Sequence, residues 1–176
     1  PVDLREPESP AMVIDAALNR FGAIDLLVNN AGATQRGDFL RLSDAEWHDG
    51  FSLKFFGTMR MCREAWPYLE TRKGSIINIA GIGGRTGSSQ FTIGGAVNAA
   101  LLNLTKALAD RGGTESVRVN AINPSSTMTE RLDKRISAIA GEQNIEYSDA
   151  YQFMSETLGV DRFGKPDEIA GMVAFL

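Results

Sequence analysis

One lysine is the clearest candidate for proton transfer in this sequence. Lys54 lies between Leu53 and Phe55 in an apolar helical stretch. A lysine drawn into apolar surroundings holds its proton less tightly and can act as an acid or base near neutral pH. Alternatively, its ammonium group hydrogen-bonds helix carbonyls or a water chain, or extends to solvent. Both roles stay open, and turnover of a Lys54→Met variant distinguishes them.

A glycine-rich loop forms the second candidate feature. It follows an apolar strand predicted at 75–79 and precedes a long helix rich in Ala, Leu and Asn. That order often forms the floor of a ligand site in an open α/β sheet. Ser88, Ser89 and Thr92 either hold a substrate oxygen there or cap the helix and satisfy the turn. The loop has no Tyr, His, Asp or Glu, so it lacks an ordinary acid–base pair.

The remaining candidate side chains give weaker indications of a catalytic or metal-binding role. Tyr147 and Tyr151 lie in a polar segment and either swing towards a site on closure or simply pack. His48, the one histidine, follows Trp47 on the polar side of a helix, which favours a solvated or structural role. The sequence has no His/Cys/carboxylate cluster, so we predict no metal site. Cys62 is the single cysteine, which excludes an intrachain disulfide and favours a small buried residue.

Strand and helix patterns alternate along the chain. Ser9 and Pro10 favour a helix start, and Ser43 with Glu46 forms a capping-box pattern. Short apolar runs at 24–28, 75–79 and 117–122 lack polar alternation, which is typical of strands buried on both faces. We therefore predict an α/β fold with a parallel sheet. A polar segment at 129–160 is predicted to be a lid or substrate-binding insertion of a single domain spanning 1–176.

Composition narrows the class of protein. The 176 residues carry 43% hydrophobic side chains and a net charge of −4, which suits one domain and argues against a nucleic-acid groove. No apolar run reaches the ~18 residues of a membrane span, so we expect a cytoplasmic protein. The chain begins at Pro1 without an initiator Met and stops within a helical pattern at Leu176. We expect it to be a fragment.

Several of these segments together resemble the short-chain dehydrogenase/reductase family, in an order and spacing that cover nearly the whole chain. The segments are Asp3-Leu4, Asn29-Asn30-Ala31-Gly32, the helix of Trp47 with 53–57, Ile76 to Ile79, Arg118-Val119-Asn120-Ala121-Ile122-Asn123-Pro124, Thr129, and Arg162-Phe163-Gly164-Lys165-Pro166-Asp167-Glu168-Ile169-Ala170.

The resemblance implies a Rossmann-type doubly wound sheet that binds NAD or NADP at the carboxyl ends of its strands. It also implies hydride transfer between the nicotinamide and a small carbonyl or alcohol. The family's cofactor contacts correspond here to Asp3, Leu4, Asn30, Ala31, Gly32, Ile79, Asn98, Pro124, Ser125, Thr127 and Thr129. The glycine-rich phosphate loop and first strands of the family's fold are not part of this chain, so the choice between NAD and NADP stays open.

The family's catalytic Asn, Ser, Tyr and Lys correspond to Lys54, Gly81, Gly94 and Asn98. Phe91 offers an apolar wall and no proton. Asn98 either hydrogen-bonds the nicotinamide ribose or caps loop backbone. We assign Lys54, Asn98 and Ser89 to a degenerate catalytic set.

Two functions follow from this pattern. The first is an NAD(P)-dependent oxidoreductase with altered catalytic residues, whose substrate is selected by the predicted lid. The second is a non-catalytic dinucleotide-binding, structural or regulatory subunit. Helices predicted at 44–69 and 90–109 match those that pair subunits in the family, so either protein is expected to be a homodimer or homotetramer.

Overall fold

The computed structural model describes residues 1–176, in two compact units, 1–123 with Leu176 and 124–175. In the first unit, three strands form the sheet: β1 (Leu26–Asn29), β2 (Ser75–Ile79) and β3 (Arg118–Ile122). The helical elements are α1 (Ser9–Phe21), α2 (Asp44–Phe51), a π-helical turn (Ser52–Gly57), α3 (Thr58–Arg72), a 3-10 turn (Ile82–Gly84) and α4 (Thr92–Glu115). The second unit contains α5 (Glu130–Gln143), α6 (Tyr147–Thr157) and α7 (Pro166–Phe175).

The three strands are parallel in the order β1-β2-β3. Ile76 and Ile77 of the central strand are both fully buried, although successive strand residues point to opposite faces. Ile76 joins the hydrophobic core formed with α1 and α3. The predicted α/β fold with a parallel sheet is confirmed. The predicted burial on both faces is found at β2, whereas β1 alternates between exposed and buried residues, with Leu26 45% and Val28 39% exposed.

Local signals set the start of α2 and the end of α1, but the predicted cap at Ser9 is wrong: Glu8 precedes α1 and makes no side-chain cap bond. The capping box at α2 is present: Ser43 N–H donates to Glu46 Oε2 at 2.8 Å, and Glu46 N–H donates to Ser43 Oγ at 3.4 Å. The helix predicted over 44–69 is interrupted by the π-helical turn and continues to Arg72 with Pro67 inside α3. Gly22 ends α1 with φ 77°, a conformation that glycine adopts readily.

A chain of buried polar side chains crosses the core at β1 and β2. Asn29 Nδ2 donates to Asn78 Oδ1 at 2.9 Å, and Asn78 Nδ2 donates to Thr105 Oγ1 at 2.9 Å. The Thr105 hydroxyl then donates to the Leu101 carbonyl at 2.7 Å. These hydrogen bonds offset the free-energy cost of burying the amides. Each buried polar group left unpaired would cost about 1–3 kcal/mol.

The second unit has its own small core. Leu132 and Ile136 of α5 pack with Ala150 and Met154 of α6, and Phe163 completes the cluster. The segment at 129–160 is thus largely helical, because α5 and α6 each bury one apolar face. None of the helices in the structure combines the length and apolar character required to cross a bilayer.

Candidate active site

Lys54 lies at the carboxyl end of the central strand, where the sequence predicts a site. Its Nζ donates a hydrogen bond to the Ala80 carbonyl at 2.6 Å, and Ala80 directly follows β2. Ala80 is itself fixed, since its N–H donates to the Ile122 carbonyl at 2.9 Å. The lysine is half-buried and its ammonium group is therefore oriented by the sheet.

A π-helical turn and a glycine make room for this lysine. Lys54 belongs to the π-helical turn Ser52–Gly57, and such turns often occur at functional sites. A Cβ on Gly32 would lie 2.8 Å from Lys54 Cδ and 3.0 Å from its Cγ. The aliphatic part of the lysine thus packs directly on the Gly32 backbone, in the loop that follows β1.

Gly81 adopts a backbone conformation that disfavours a side chain. Its φ is +141°, and a Cβ there would lie 3.0 Å from Asn98 Nδ2. The Gly81 N–H donates to Asn123 Oδ1 at 3.3 Å, which holds the loop against the end of β3. The position predicted to match the family's Ser is therefore shaped for glycine.

Asn98 is an unusual buried residue of α4. Only 3% of it is exposed, and its Oδ1 has no hydrogen-bond partner. The backbone of Asn98 packs against Gly84, where a Cβ would lie 2.8 Å from the Asn98 carbonyl carbon. A buried acceptor without a donor is costly, so it marks a place where a ligand hydroxyl or amide would be bound favourably.

Phe91 occupies the space beside Gly94. A Cβ on Gly94 would lie 2.0 Å from Phe91 Cζ, and a Cβ on Gly83 would lie 3.0 Å from Phe91 Cε1. The guanidinium of Arg36 stacks on the same ring, with its Cζ 4.0 Å from the ring centroid. The Phe91 ring thus presents an apolar surface beside Gly94, the position predicted to match the family's Tyr.

The hydroxyls of the loop are less well placed for catalysis. Ser88 and Ser89 are exposed, and the Ser89 side chain makes no hydrogen bond. The Ser88 carbonyl accepts the Phe91 N–H at 2.9 Å, which tightens the turn before α4. Thr92 Oγ1 is buried without a partner and provides no cap for its helix. A catalytic role for Ser89 stays a prediction.

Three of the predicted cofactor contacts line one cavity of about 350 Å³. They are Leu4, Asn30 and Ala31, and Val2 and Leu27 add apolar surface to the same walls. Such a mainly apolar cleft with a few polar groups suits a planar base and a sugar. Ile79 is half-buried at the end of β2.

Asp3 is committed to a neighbouring arginine. The Arg5 N–H donates to Asp3 Oδ1 at 3.0 Å, and the Arg5 side chain also bonds Asp49 at 2.6 Å. The hydrogen bond from the Arg5 backbone lowers the pKa of Asp3, so its carboxylate is ionised. It remains available only as an exposed hydrogen-bond acceptor.

The other predicted cofactor contacts lie in the second unit. Thr127 pairs with Gly164 in an isolated parallel bridge, and its hydroxyl donates to the Ser125 carbonyl at 3.3 Å. Thr129 precedes α5 without a side-chain cap bond, and Pro124 is half-buried. Local backbone pairing therefore fixes the Thr127 segment.

The lid tyrosines and the histidine have structural partners. Tyr147 Oη donates to Asp133 Oδ1 at 2.7 Å, and this bond raises the pKa of Tyr147. Tyr151 stacks edge-on against Phe163 with 4.7 Å between centroids. His48 Nδ1 lies 2.7 Å from the Asp44 carbonyl oxygen within α2. No group of three or more His, Cys, Asp or Glu side chains in the structure could hold a metal ion.

Comparison with known proteins places the chain in a family. A family model described as enoyl-(acyl carrier protein) reductase matches residues 1–176. A probable short-chain type dehydrogenase/reductase of Bradyrhizobium diazoefficiens is 32% identical over 178 residues, covering 98% of this chain and 60% of that protein. The chain belongs to the short-chain dehydrogenase/reductase family. The 3-oxoacyl-(acyl carrier protein) reductase of Thermotoga maritima, a second relative, is 29% identical over 168 residues, covering 93% of this chain and 63% of that protein.

Solved structures of the short-chain dehydrogenase/reductase family share the fold. The L-sorbose reductase of Gluconobacter frateurii, solved with NADPH and L-sorbose, has a TM-score of 0.93 and 28% identity. The likeness covers 99% of this chain and 67% of that one. The predicted Rossmann-type doubly wound architecture is thereby confirmed.

Sequence reasoning missed how tightly the altered positions fit one another. The contacts of Phe91 with Gly94, of Lys54 with Gly32, and of Asn98 with Gly81 are invisible in a linear pattern. One signal was present: a phenylalanine stands three residues before a glycine at the start of a helix, the spacing at which side chains share a helix face.

Proposed function

We propose that the protein is an NAD(P)-dependent oxidoreductase that transfers hydride between the nicotinamide and a small carbonyl or alcohol. The supporting observation is the Lys54 ammonium, held 2.6 Å from the Ala80 carbonyl at the carboxyl end of β2. In a site without Tyr, this lysine is the group we assign to proton transfer. Family membership and the NADPH bound in the sorbose reductase structure support the cofactor class, and the choice between NAD and NADP stays open.

Residues of the first unit fit parts of such a cofactor. The orphaned Oδ1 of Asn98 would accept a hydroxyl of the nicotinamide ribose. The cavity at Leu4, Asn30 and Ala31 would hold the adenosine end, and Gly32 and Ile79 would line the path between. We assign Pro124, Ser125, Thr127 and Thr129 of the second unit, and the exposed Asp3, to further contacts, as the resemblance implies.

The cofactor supplies the hydride, and the chain must supply the proton. With a cofactor bound, the Lys54 ammonium would donate a proton to the carbonyl oxygen of the substrate, which would leave a neutral amine and the alcohol. Water then reprotonates the amine. Positioned proton transfer contributes about 10²–10⁴-fold to a rate. The Ala80 carbonyl orients the ammonium, and Phe91 excludes water on the side of Gly94.

Titration and turnover test the proposal in the intact protein. Binding of NADH and NADPH is followed by fluorescence, and a carbonyl panel is then assayed for cofactor oxidation. We expect Lys54→Met to lower kcat at least ~100-fold, the size of a lost proton-transfer step, with cofactor Kd changed less than twofold. Lys73→Met, at an exposed residue after α3, is the matched control. Unaltered turnover by Lys54→Met would refute the assignment.

The alternative function is a non-catalytic dinucleotide-binding, structural or regulatory subunit. The fit of Phe91 over Gly94 favours it, because that geometry leaves no proton donor at the predicted Tyr position. Cofactor binding without oxidation by any carbonyl would support this alternative. Three further expectations remain predictions. They are a homodimer or homotetramer formed through helices 44–69 and 90–109, a cytoplasmic location, and substrate selection by a lid at 129–160. Sedimentation velocity tests the assembly.

A further inference from the structure

We propose that the substrate carries an anionic group, a carboxylate or a phosphate, which binds Arg85 in a cavity beside Phe91. The cavity has a volume of about 370 Å³ and lies between the 83–88 loop and the first turns of α4. Its walls include Arg85, Ser88, Phe91 and Thr92, and the rest are Gly and Ala. The anion site itself does not depend on the proposed function. Only the assignment of the anion to a substrate rests on that function.

Arg85 is equipped to take an anion. Its guanidinium makes no ion pair and no hydrogen bond in the structure, whereas Arg5, Arg72 and Arg162 are each paired with a carboxylate. A guanidinium offers a planar fork of donors that matches carboxylate or phosphate oxygens. Small residues around it let a ligand approach the backbone closely.

Thr92 provides an independent indication of a missing partner. Its hydroxyl oxygen is buried without a hydrogen bond, although it belongs to a residue that lines the cavity. Leaving a buried hydroxyl unpaired costs free energy. An anion oxygen in the cavity would accept its proton.

The charges around the cavity have the required sign. Two cationic side chains lie at the cavity, Arg85 in its wall and Arg36 on the Phe91 ring, in a chain with net charge −4. Arg36 stacks on the same Phe91 ring that forms a wall of the cavity. A positive region on an acidic protein raises the local concentration of anions.

The cavity also adjoins the site of chemistry. Gly83 lines it, and a Cβ on that glycine would lie 3.6 Å from Asn98 Nδ2. Phe91 lines the cavity, and its ring also lies against Gly94. A substrate whose anionic group lies a few bonds from its carbonyl could therefore contact both Arg85 and the Asn98 region, which favours short oxo acids and phosphorylated carbonyl compounds.

Binding of simple anions tests the site without requiring turnover. Oxalate and inorganic phosphate are titrated calorimetrically into the intact protein, and the tighter of the two identifies the preferred group. We expect Arg85→Gln to weaken the preferred anion at least tenfold, while the matched surface variant Arg41→Gln changes it less than twofold. Thr92→Val should weaken binding at least threefold without lowering the melting temperature, because its hydroxyl makes no bond in the free protein. Equal weakening by both arginine variants, or no binding of either anion, would overturn the proposal.

Turnover then connects the site to the reaction. With 2-oxobutanoate, Arg85→Gln should raise KM at least tenfold with kcat changed less than threefold, and the KM of the neutral methyl ester should stay constant. An equal effect on acid and ester would overturn the substrate assignment. Anion binding that depends on Arg85 in a protein that oxidises no cofactor would refute the proposed reaction and leave the anion site standing.

Discussion

Phe91 and Gly94 are interlocked, because the Phe91 ring occupies the space where the Cβ atom of any other residue at position 94 would lie. The distance from Phe91 Cζ to the Cβ position of Gly94 is 2.0 Å, far below any van der Waals contact. Restoring a tyrosine at 94 would require Phe91 to move. The positions predicted to have lost the family's catalytic groups are therefore packed together with their neighbours.

Gly94→Ala should destabilise the protein by about 1–3 kcal/mol, the usual effect of overpacking a filled region. The methyl group would overlap the ring of Phe91, which also contacts Gly83 and Arg36. Urea unfolding measures the loss. In a double-mutant cycle with Phe91→Ala, the alanine at 94 should cost much less, because the ring is gone.

Gly113→Ala is the matched control for that cycle. Gly113 also lies inside α4, but nothing stands within 4 Å of its Cβ position. Alanine there should stabilise the protein by about 0.5–1 kcal/mol through helix propensity. Similar effects at 94 and 113 would contradict the interlocked packing.

Gly81→Ser should fail to create a working serine. Its φ of +141° strains any side chain, and the new Cβ would lie 3.0 Å from Asn98 Nδ2. We expect a loss of about 1–3 kcal/mol in unfolding free energy and no gain in carbonyl turnover. Gly87→Ser, in the same loop with open space around it, should fold like the parent protein. A stable Gly81→Ser variant with higher turnover would disprove this account.

Cys62 should make stability fall in alkaline solution. Burial raises the pKa of its thiol to about 12, with Asn29 opposing the shift. The unfolded thiol ionises near pH 8.5. The stabilising contribution is thus complete below that pH and is lost as pH rises towards the folded pKa, by about 2 kcal/mol at pH 10. Urea unfolding at pH 8 and pH 10 checks this, and a Cys62→Ala variant should show a correspondingly smaller drop.

Sequence patterns predicted the scaffold well because it depends on local signals. Apolar runs without alternation identified the parallel strands, and Ser43 with Glu46 identified the start of α2. Those signals act through burial and hydrogen bonds between near neighbours in the chain, so a linear reading captures them.

The site was less predictable because its contacts join distant segments. Lys54 is oriented by Ala80 and packs on Gly32, and neither partner is marked by residue type. The π-helical turn that contains this lysine has no sequence signature comparable to a capping box. Likewise, the orphaned oxygen of Asn98 becomes visible only when all neighbouring donors are placed.

The buried Asn29–Asn78–Thr105 chain determines which strand alignment is permitted. In the observed register Asn29 stands opposite Asn78, and their amides bond directly. Sliding β1 by one residue would turn Asn29 to the other face and leave a buried amide without a partner. Apolar strands such as these could otherwise pair in several offsets of similar energy. The buried polar chain thus selects one strand register, because that register has a much lower free energy than the neighbouring ones.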